Sequence, residues 1–266
     1  MKHRFDKMHG LGNDFVIVDA RDQPFALTPS LARAIANRRT GIGCDQIILL
    51  EPSETADLRM RIWNSDGSEV EACGNATRCV VELTGAMRID SDGGLLEGRK
   101  LEAEVEVSLA EPQFDWNEIP LAYPMDTSAM PVAWGRLEHP MAVNVGNPHL
   151  VFFVEDPDAI PLEELGPTIE HDGLFPERIN VNVACVEAGN IRLRTFERGA
   201  GLTLACGTGA CATAVAAIAS KRATSPVRVT MPGGSLMISW APGEPIRMRG
   251  AATHVFEGEL DLETLS

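Results

Sequence analysis

Hydrophobic and polar residues alternate in short runs along most of this chain, a pattern of brief strands rather than long helices. Segments 14–20, 46–51 and 58–64 are rich in β-branched residues or alternate with a period of two, and each predicts a strand. A helix is expected over 29–39, between the first two of these, with Thr28 or Ser30 as its cap and Gly41 as its stop. In segment 100–109, Leu101, Ala103, Val105 and Val107 share one face and Glu102, Glu104 and Glu106 the other, the signature of a strand with one solvated side. The proline-rich stretch 111–131 interrupts the pattern and marks a domain boundary. Beyond it, strands are expected at 141–145, 149–154, 180–187, 191–197, 227–231, 235–240, 246–249 and 254–259.

Two segments follow the helical period instead. Residues 206–222 place alanine at 210, 212, 214, 216, 217 and 219 beside Val215 and Ile218, so this helix is small and apolar nearly all round. A helix without a polar face must be enclosed on every side, which a position at the centre of a β-layered unit provides. Residues 77–83 begin a similar but less pure helix. One such helix per half, among many short strands, predicts two units dominated by β-sheet.

The two helices open on the same phrase. Cys73-Gly74-Asn75-Ala76-Thr77 precedes the first and Cys206-Gly207-Thr208-Gly209-Ala210 the second, 133 residues apart in a chain of 266. A repeat at half the chain length implies two similar units carrying two similar thiols. At a helix N-terminus the positive end of the dipole favours a thiolate, and the unsatisfied N–H groups bind a carboxylate without a cationic side chain. Such a site can hold an α-carboxylate and present sulfur to the adjacent Cα–H. Two of them offer a base for one face of a carbon and an acid for the other, which is the chemistry of an epimerase or racemase. A Cys-Gly-small sequence opening a buried helix can equally be packing alone, but packing gives no reason for the duplication. A cysteine hydrolase or acyltransferase with His149 as base, or a redox-responsive protein, would not need the cysteine twice.

Composition narrows the class. Apolar residues make up 44% of the chain, enough for substantial cores, and no run approaches the roughly 18 apolar residues of a spanning helix. A net charge of −15 argues against nucleic acid as a partner. The N-terminal residues lack the apolar stretch of a signal peptide, so a cytoplasmic protein is expected, with no membrane partner. Six cysteines without a CxxC pair make disulfides and structural zinc poor readings. Cys44, Cys79, Cys185 and Cys211 read as buried filler. Asn13, Asn64 and Asn147 all stand in turn contexts, where asparagine is common for backbone reasons alone.

Seven ordered phrases then carry a resemblance that runs essentially end to end. They are Lys7-Met8-His9-Gly10-Leu11-Gly12-Asn13-Asp14-Phe15, Gly41-Ile42-Gly43-Cys44-Asp45-Gln46, Asn64-Ser65-Asp66-Gly67-Ser68-Glu69, Cys73-Gly74-Asn75, Gly146-Asn147-Pro148-His149, Glu197-Arg198-Gly199-Ala200-Gly201 and Cys206-Gly207-Thr208-Gly209. The chain resembles the diaminopimelate epimerases, which need no pyridoxal phosphate. The resemblance implies an α+β fold of two pseudo-symmetric domains, each a β-barrel-like sheet wrapped around a central helix, with the active site in the cleft between them. On this basis residues 1–116 are expected to form the half carrying Cys73, residues 117–251 the half carrying Cys206, and residues 252–266 a tail returning to the first half. Cys73 would take the proton from the LL isomer and Cys206 would supply one on the opposite face. The amides of Gly74, Asn75, Gly207 and Thr208 would hold the reacting carboxylate. Asn64, Asn147, Asn180 and Arg198 would grip the distal carboxylate, Glu197 the distal ammonium, and Asn13, Gln46 and His149 would line the pocket. No metal or other cofactor is implied, the substrate is diaminopimelate, and a homodimer is consistent with the family. One departure is Ala76, where the family often has glycine; alanine would strain a positive φ but suits a helical position.

Overall fold

The computed structural model describes residues 2–71 and 73–262. The chain forms two compact units, one of Met1–Val107 with Gly250–Ser266 and one of Ser108–Arg249. In the first unit, Thr253–Asp261 pairs antiparallel with Lys2–Gly10, which pairs antiparallel with Asn13–Asp19. Asn13–Asp19 runs parallel to Gln46–Glu51, and that strand pairs antiparallel with Leu58–Asn64. Leu58–Asn64 then takes the short strand Glu69–Val70 antiparallel and Arg88–Ser91 parallel, and Arg88–Ser91 turns back antiparallel as Gly94–Lys100.

The second unit repeats this sequence of pairings. Met141–Asn144 is antiparallel to Pro148–Phe153, which is parallel to Asn180–Glu187, which is antiparallel to Asn190–Glu197. Asn190–Glu197 takes Gly201–Thr203 antiparallel and Val227–Met231 parallel, and Val227–Met231 turns back as Gly234–Ser239. The half-length repeat of the cysteine phrase is therefore a repeat of topology. The fold is the expected α+β arrangement of two pseudo-symmetric, sheet-dominated units around central helices.

Helix α1 (Pro29–Ala36) begins where Thr28 Oγ1 accepts the Leu31 N–H at 3.2 Å, with proline at a position that needs no donor. It stops at Ala36 rather than at residue 39. Asn37 leaves helical backbone with ψ 117°, and its Oδ1 accepts the N–H groups of Arg39 and Thr40. Local competition of this kind is how asparagine ends helices. Helix α2 (Gly74–Thr84) starts a turn before the expected 77–83, and Gly85 closes it in left-handed backbone at φ 72°. Helix α3 (Leu162–Glu170) has no counterpart among the sequence expectations, since Gly166 and Pro167 lie inside it. Gly166 is there for proximity: a Cβ at that position would come within 2.4 Å of the Phe196 ring.

Helix α4 (Gly207–Ala219) fits its sequence closely. Ten of its residues are buried, and it packs against six strands of the second unit, from Met141–Asn144 to Gly234–Ser239. Helix α2 lies in the same way against Lys2–Gly10, Asn13–Asp19, Gly94–Lys100 and Thr253–Asp261.

The strand readings depart from the structure at several places, Arg88–Ser91 and Gly201–Thr203 among them, and two of the departures have a clear physical cause. Segment 100–109 is not one strand: the Leu101 N–H bonds the Glu104 carbonyl at 2.8 Å, turning the chain between Gly94–Lys100 and Val105–Leu109. Alternation alone does not separate a strand from a turn of alternating residues. Lys2–Gly10 escapes the sequence pattern because its inward positions include His3 and Lys7, both buried polar residues. His3 packs edge-on against Phe25 at 4.8 Å and Lys7 pairs with Asp14 at 2.5 Å, which makes their burial tolerable.

Enclosure of α4 has a direct test. Ala214 is fully buried, so Ala214→Leu is expected to lower stability by about 1–3 kcal/mol through overpacking. Urea unfolding should show a reduced midpoint with an unchanged slope, whereas the same change at exposed Ala219 should leave the midpoint nearly where it was.

Candidate active site

Cys73 is the N-cap residue of α2, in extended backbone, with Gly74 and Asn75 supplying the first helical amides. Its thiol lies 3.9 Å from Asn13 Oδ1, within reach of a weak S–H···O bond, and the same oxygen accepts from Asn75 Nδ2 at 3.2 Å. Both amide orientations are set by charged neighbours. Asn13 Nδ2 donates to Asp45 Oδ2 at 3.0 Å, and the fully buried Arg78 donates to Asn75 Oδ1 at 2.9 Å. Asp45 is held in turn by Arg38 at 2.7 Å. Beside it burial works against the charge of Asp14, but Arg38 and Lys7 outweigh that and hold the carboxyl down to about 2. Gln46 and Asn64 form a separate pair, opposite each other on adjacent strands, with Gln46 Nε2 donating to Asn64 Oδ1 at 3.0 Å. Ala76 lies in the first turn of α2 and is buried, so its side chain suits the helical backbone.

Cys206 is likewise the N-cap residue of α4 in extended backbone, but here the sulfur itself caps the helix, accepting the Gly209 N–H at 3.2 Å with Thr208 Oγ1 at 3.5 Å. The expectation that a helix N-terminus lowers the thiol pKa does not hold here. Burial pushes the Cys206 thiol well above its ordinary range, and the neighbouring Glu197 carboxylate pushes it further, against the Thr208 hydroxyl and the Gly209 N–H. Desolvation outweighs those two donors, because Cys206 is only 3% exposed and an enclosed anion loses more hydration than they restore. Glu197 is also the acceptor of the Thr203 hydroxyl. The remaining cysteines are thiols and, as expected, Cys44, Cys79, Cys185 and Cys211 are buried. Burial raises Cys44 and Cys79 to about 12, leaving them inert at neutral pH.

The other polar residues of the second unit gather around one strand pair. His149 and Asn180 are partners across the parallel ladder, and Asn180 is buried with its amide bonded at both ends. Its Nδ2 donates to the Pro148 carbonyl at 2.8 Å and its Oδ1 accepts the Arg198 N–H at 3.0 Å. The Arg198 guanidinium donates to the Glu177 carbonyl at 3.0 Å. His149 is fully buried, and burial, with the Arg198 charge beside it, holds its pKa down to about 3. Its ring bonds Asn147 Oδ1 at 2.9 Å on one side and Asn182 Nδ2 at 3.1 Å on the other.

Sequence reasoning missed Asp45, Arg78, Asn182 and Thr195. A usable signal existed for Asn182, which shares a strand face with Asn180 in a segment otherwise buried and apolar. Arg78 carried another, as a charged residue one helical turn beyond Asn75 on a buried stretch. A cleft of about 630 Å³ is lined by Arg136, Glu138, Phe153, Cys185 and Arg222 among others and contains none of the candidate site residues above. Among the described residues no helix is long and apolar enough to cross a membrane.

Comparison with known proteins gives a consistent result. The family model described as "Diaminopimelate epimerase" matches residues 5–108 and 141–255. A diaminopimelate epimerase of Rhizorhabdus wittichii is 66% identical over 265 residues, covering 98% of this chain and 97% of the relative. One from Sphingopyxis alaskensis is 63% identical, covering 98% of each chain. Among solved structures, a phenazine biosynthesis protein of the PhzF family from Bacillus anthracis superposes with a TM-score of 0.69 at 17% identity, over 98% of this chain and 100% of that one. A hydroxyproline epimerase from Agrobacterium vitis gives 0.67 at 13% identity, over 98% and 93%; at such identities the likeness is one of fold alone. With the family model spanning most of both units and full-length relatives at 66% and 63% identity, the chain belongs to the diaminopimelate epimerase family.

Proposed function

We propose that this chain interconverts LL- and meso-diaminopimelate by a two-base proton transfer between Cys73, Cys206 and one α-carbon. The observation that carries this reading is the repeated placement of a cysteine at the N-cap of the central helix in each of two topologically matched units. The Cys73 thiolate removes the α-proton of the LL isomer. The electron pair of that C–H bond stays on carbon, and the Cys206 S–H delivers a proton to the opposite face. The turnover leaves Cys73 as thiol and Cys206 as thiolate, ready for the reverse direction. A Cys206 thiol held protonated by burial and by Glu197 suits the donor role. The amides of Gly74, Asn75, Gly207 and Thr208 hold the reacting carboxylate, whose charge the two helix N-termini stabilise.

For the distal end of the substrate, Asn64, Asn147 and Arg198 supply donors to a carboxylate, while Asn180 acts by fixing the Arg198 backbone. Glu197 serves both the distal ammonium and the Cys206 thiol, and Asn13 and Gln46 line the pocket on the Cys73 side. A pocket built for a second amino-acid head group rejects substrates that would leave those polar groups unpaired. The hydrolase alternative lacks an effective base, since burial holds the His149 pKa down to about 3 and both ring nitrogens are already engaged, by Asn147 and Asn182. We further propose that the enzyme works in the cytoplasm as a homodimer and supplies lysine and peptidoglycan synthesis.

Cys73→Ala and Cys206→Ala should each reduce kcat by on the order of 10²–10⁴ or more. Proton NMR of reduced enzyme with LL-diaminopimelate in D₂O should show deuterium entering at Cα as the meso isomer forms, with lysine and proline left unlabelled. Either variant retaining most of its turnover would exclude two bases. Glu197→Gln removes a negative charge that raises the Cys206 thiol, so the thiol pKa should fall while burial still keeps it above the ordinary value. The iodoacetamide reaction of Cys206, followed by peptide mass spectrometry against pH, should begin at lower pH in Glu197→Gln than in the unaltered protein.

A further inference from the structure

A chain of hydrogen bonds in the second unit has only one consistent direction. Leu150 O is a backbone carbonyl and can only accept, and it lies 3.1 Å from Asn182 Nδ2. This fixes which end of the Asn182 amide is nitrogen. The second N–H of that group points at His149 Nδ1, 3.1 Å away. At its other end, Asn182 Oδ1 accepts the Thr195 hydroxyl at 3.0 Å. Asn182 and Thr195 stand opposite each other in the antiparallel ladder, and His149, Asn182 and Thr195 are all buried. No bulk water is therefore at hand to supply an alternative partner.

His149 Nδ1 must accept, so its proton sits on Nε2, and Nε2 donates to Asn147 Oδ1 at 2.9 Å. With its oxygen committed to the ring, Asn147 has its N–H₂ end left for a ligand. Asn147 is half-buried, at the edge of this otherwise enclosed row.

We propose that Asn182 is a positioning residue for substrate recognition: it locks His149 in the Nε2–H tautomer, and the ring thereby turns the Asn147 amide so that its N–H₂ faces the substrate's distal carboxylate. The recognition step rests on the reading of Asn147 as a carboxylate ligand, while the tautomer does not. His149 is a neutral spacer of fixed polarity in this arrangement and exchanges no proton with substrate. Reversing the polarity at Asn182 reverses it at Asn147, where a carbonyl oxygen would then oppose a carboxylate.

Long-range ¹⁵N–¹H NMR of histidine-labelled protein at pH 7, with the His149 signals assigned by loss in His149→Gln, reads the tautomer directly. The unaltered protein should show Nε2 protonated and Nδ1 bare. A protonated Nδ1, alone or with Nε2, would overturn the relay whether or not the protein is an active epimerase. In Asn182→Asp the new carboxylate accepts from the ring, so the Nδ1–H form should appear, with KM for LL-diaminopimelate raised about tenfold to a hundredfold and kcat within a few fold. Asn147→Asp, at the half-buried end, keeps the test decisive if Asn182→Asp fails to fold. It should keep the Nε2–H form, because its carboxylate still accepts, yet raise KM as strongly. A folded Asn182→Asp protein that keeps the Nε2–H tautomer, or an Asn147→Asp protein with unchanged KM, would sink the proposal.

Discussion

The thiol at the head of a helix enclosed by its own sheet is the constraint from which the rest of this architecture follows. A helix can lie inside a layer of short strands only if it is narrow, and α4 achieves this with alanine and glycine at most of its positions. The enclosed end of such a helix still presents backbone N–H groups that need partners. Around Cys206 the sulfur itself takes the Gly209 N–H. The same enclosure that concentrates those donors strips the thiol of water, and for Cys206 that loss dominates. A protonated thiol beside preorganised amides is a proton donor that is already in place, and this is half of what a two-base epimerase requires.

Burial imposes a second demand, which is that every polar group nearby be oriented by something else. Both units meet it with side-chain amides pinned by groups of fixed polarity. Near Cys73, Asp45 can only accept and Arg78 can only donate, so Asn13 and Asn75 have one orientation each. In the second unit the Leu150 carbonyl plays the part of the fixed acceptor and sets Asn182, His149 and Asn147 in succession. Interiors with low dielectric make a wrongly turned amide expensive, so such rows behave as rigid frames rather than as adjustable contacts.

What could be read in advance had a local cause. The strands at 46–51 and 58–64, the buried helix after Cys206 and the duplication of the cysteine phrase all follow from patterns within a few residues, or from simple comparison of the two halves. The misread elements were those whose pattern was altered by distant partners. Lys2–Gly10 turns polar residues inward because Phe25 and Asp14 wait there, and α3 tolerates Gly166 because Phe196 lies against it.

The sequence by itself determined the two-unit, sheet-dominated fold and the repeat that makes Cys73 and Cys206 candidate bases, because residue type, spacing and repetition are one-dimensional properties; the polar set came from the resemblance to a family rather than from spacing. Only the tertiary structure decided the ionisation of Cys206 and the tautomer of His149. It also decided that Asp45, Arg78, Asn182 and Thr195 belong with the candidate site residues. Those outcomes depend on how much water each group loses and on which acceptor or donor from a remote strand comes within about 3 Å, and neither quantity is encoded in the residues next to it in the chain.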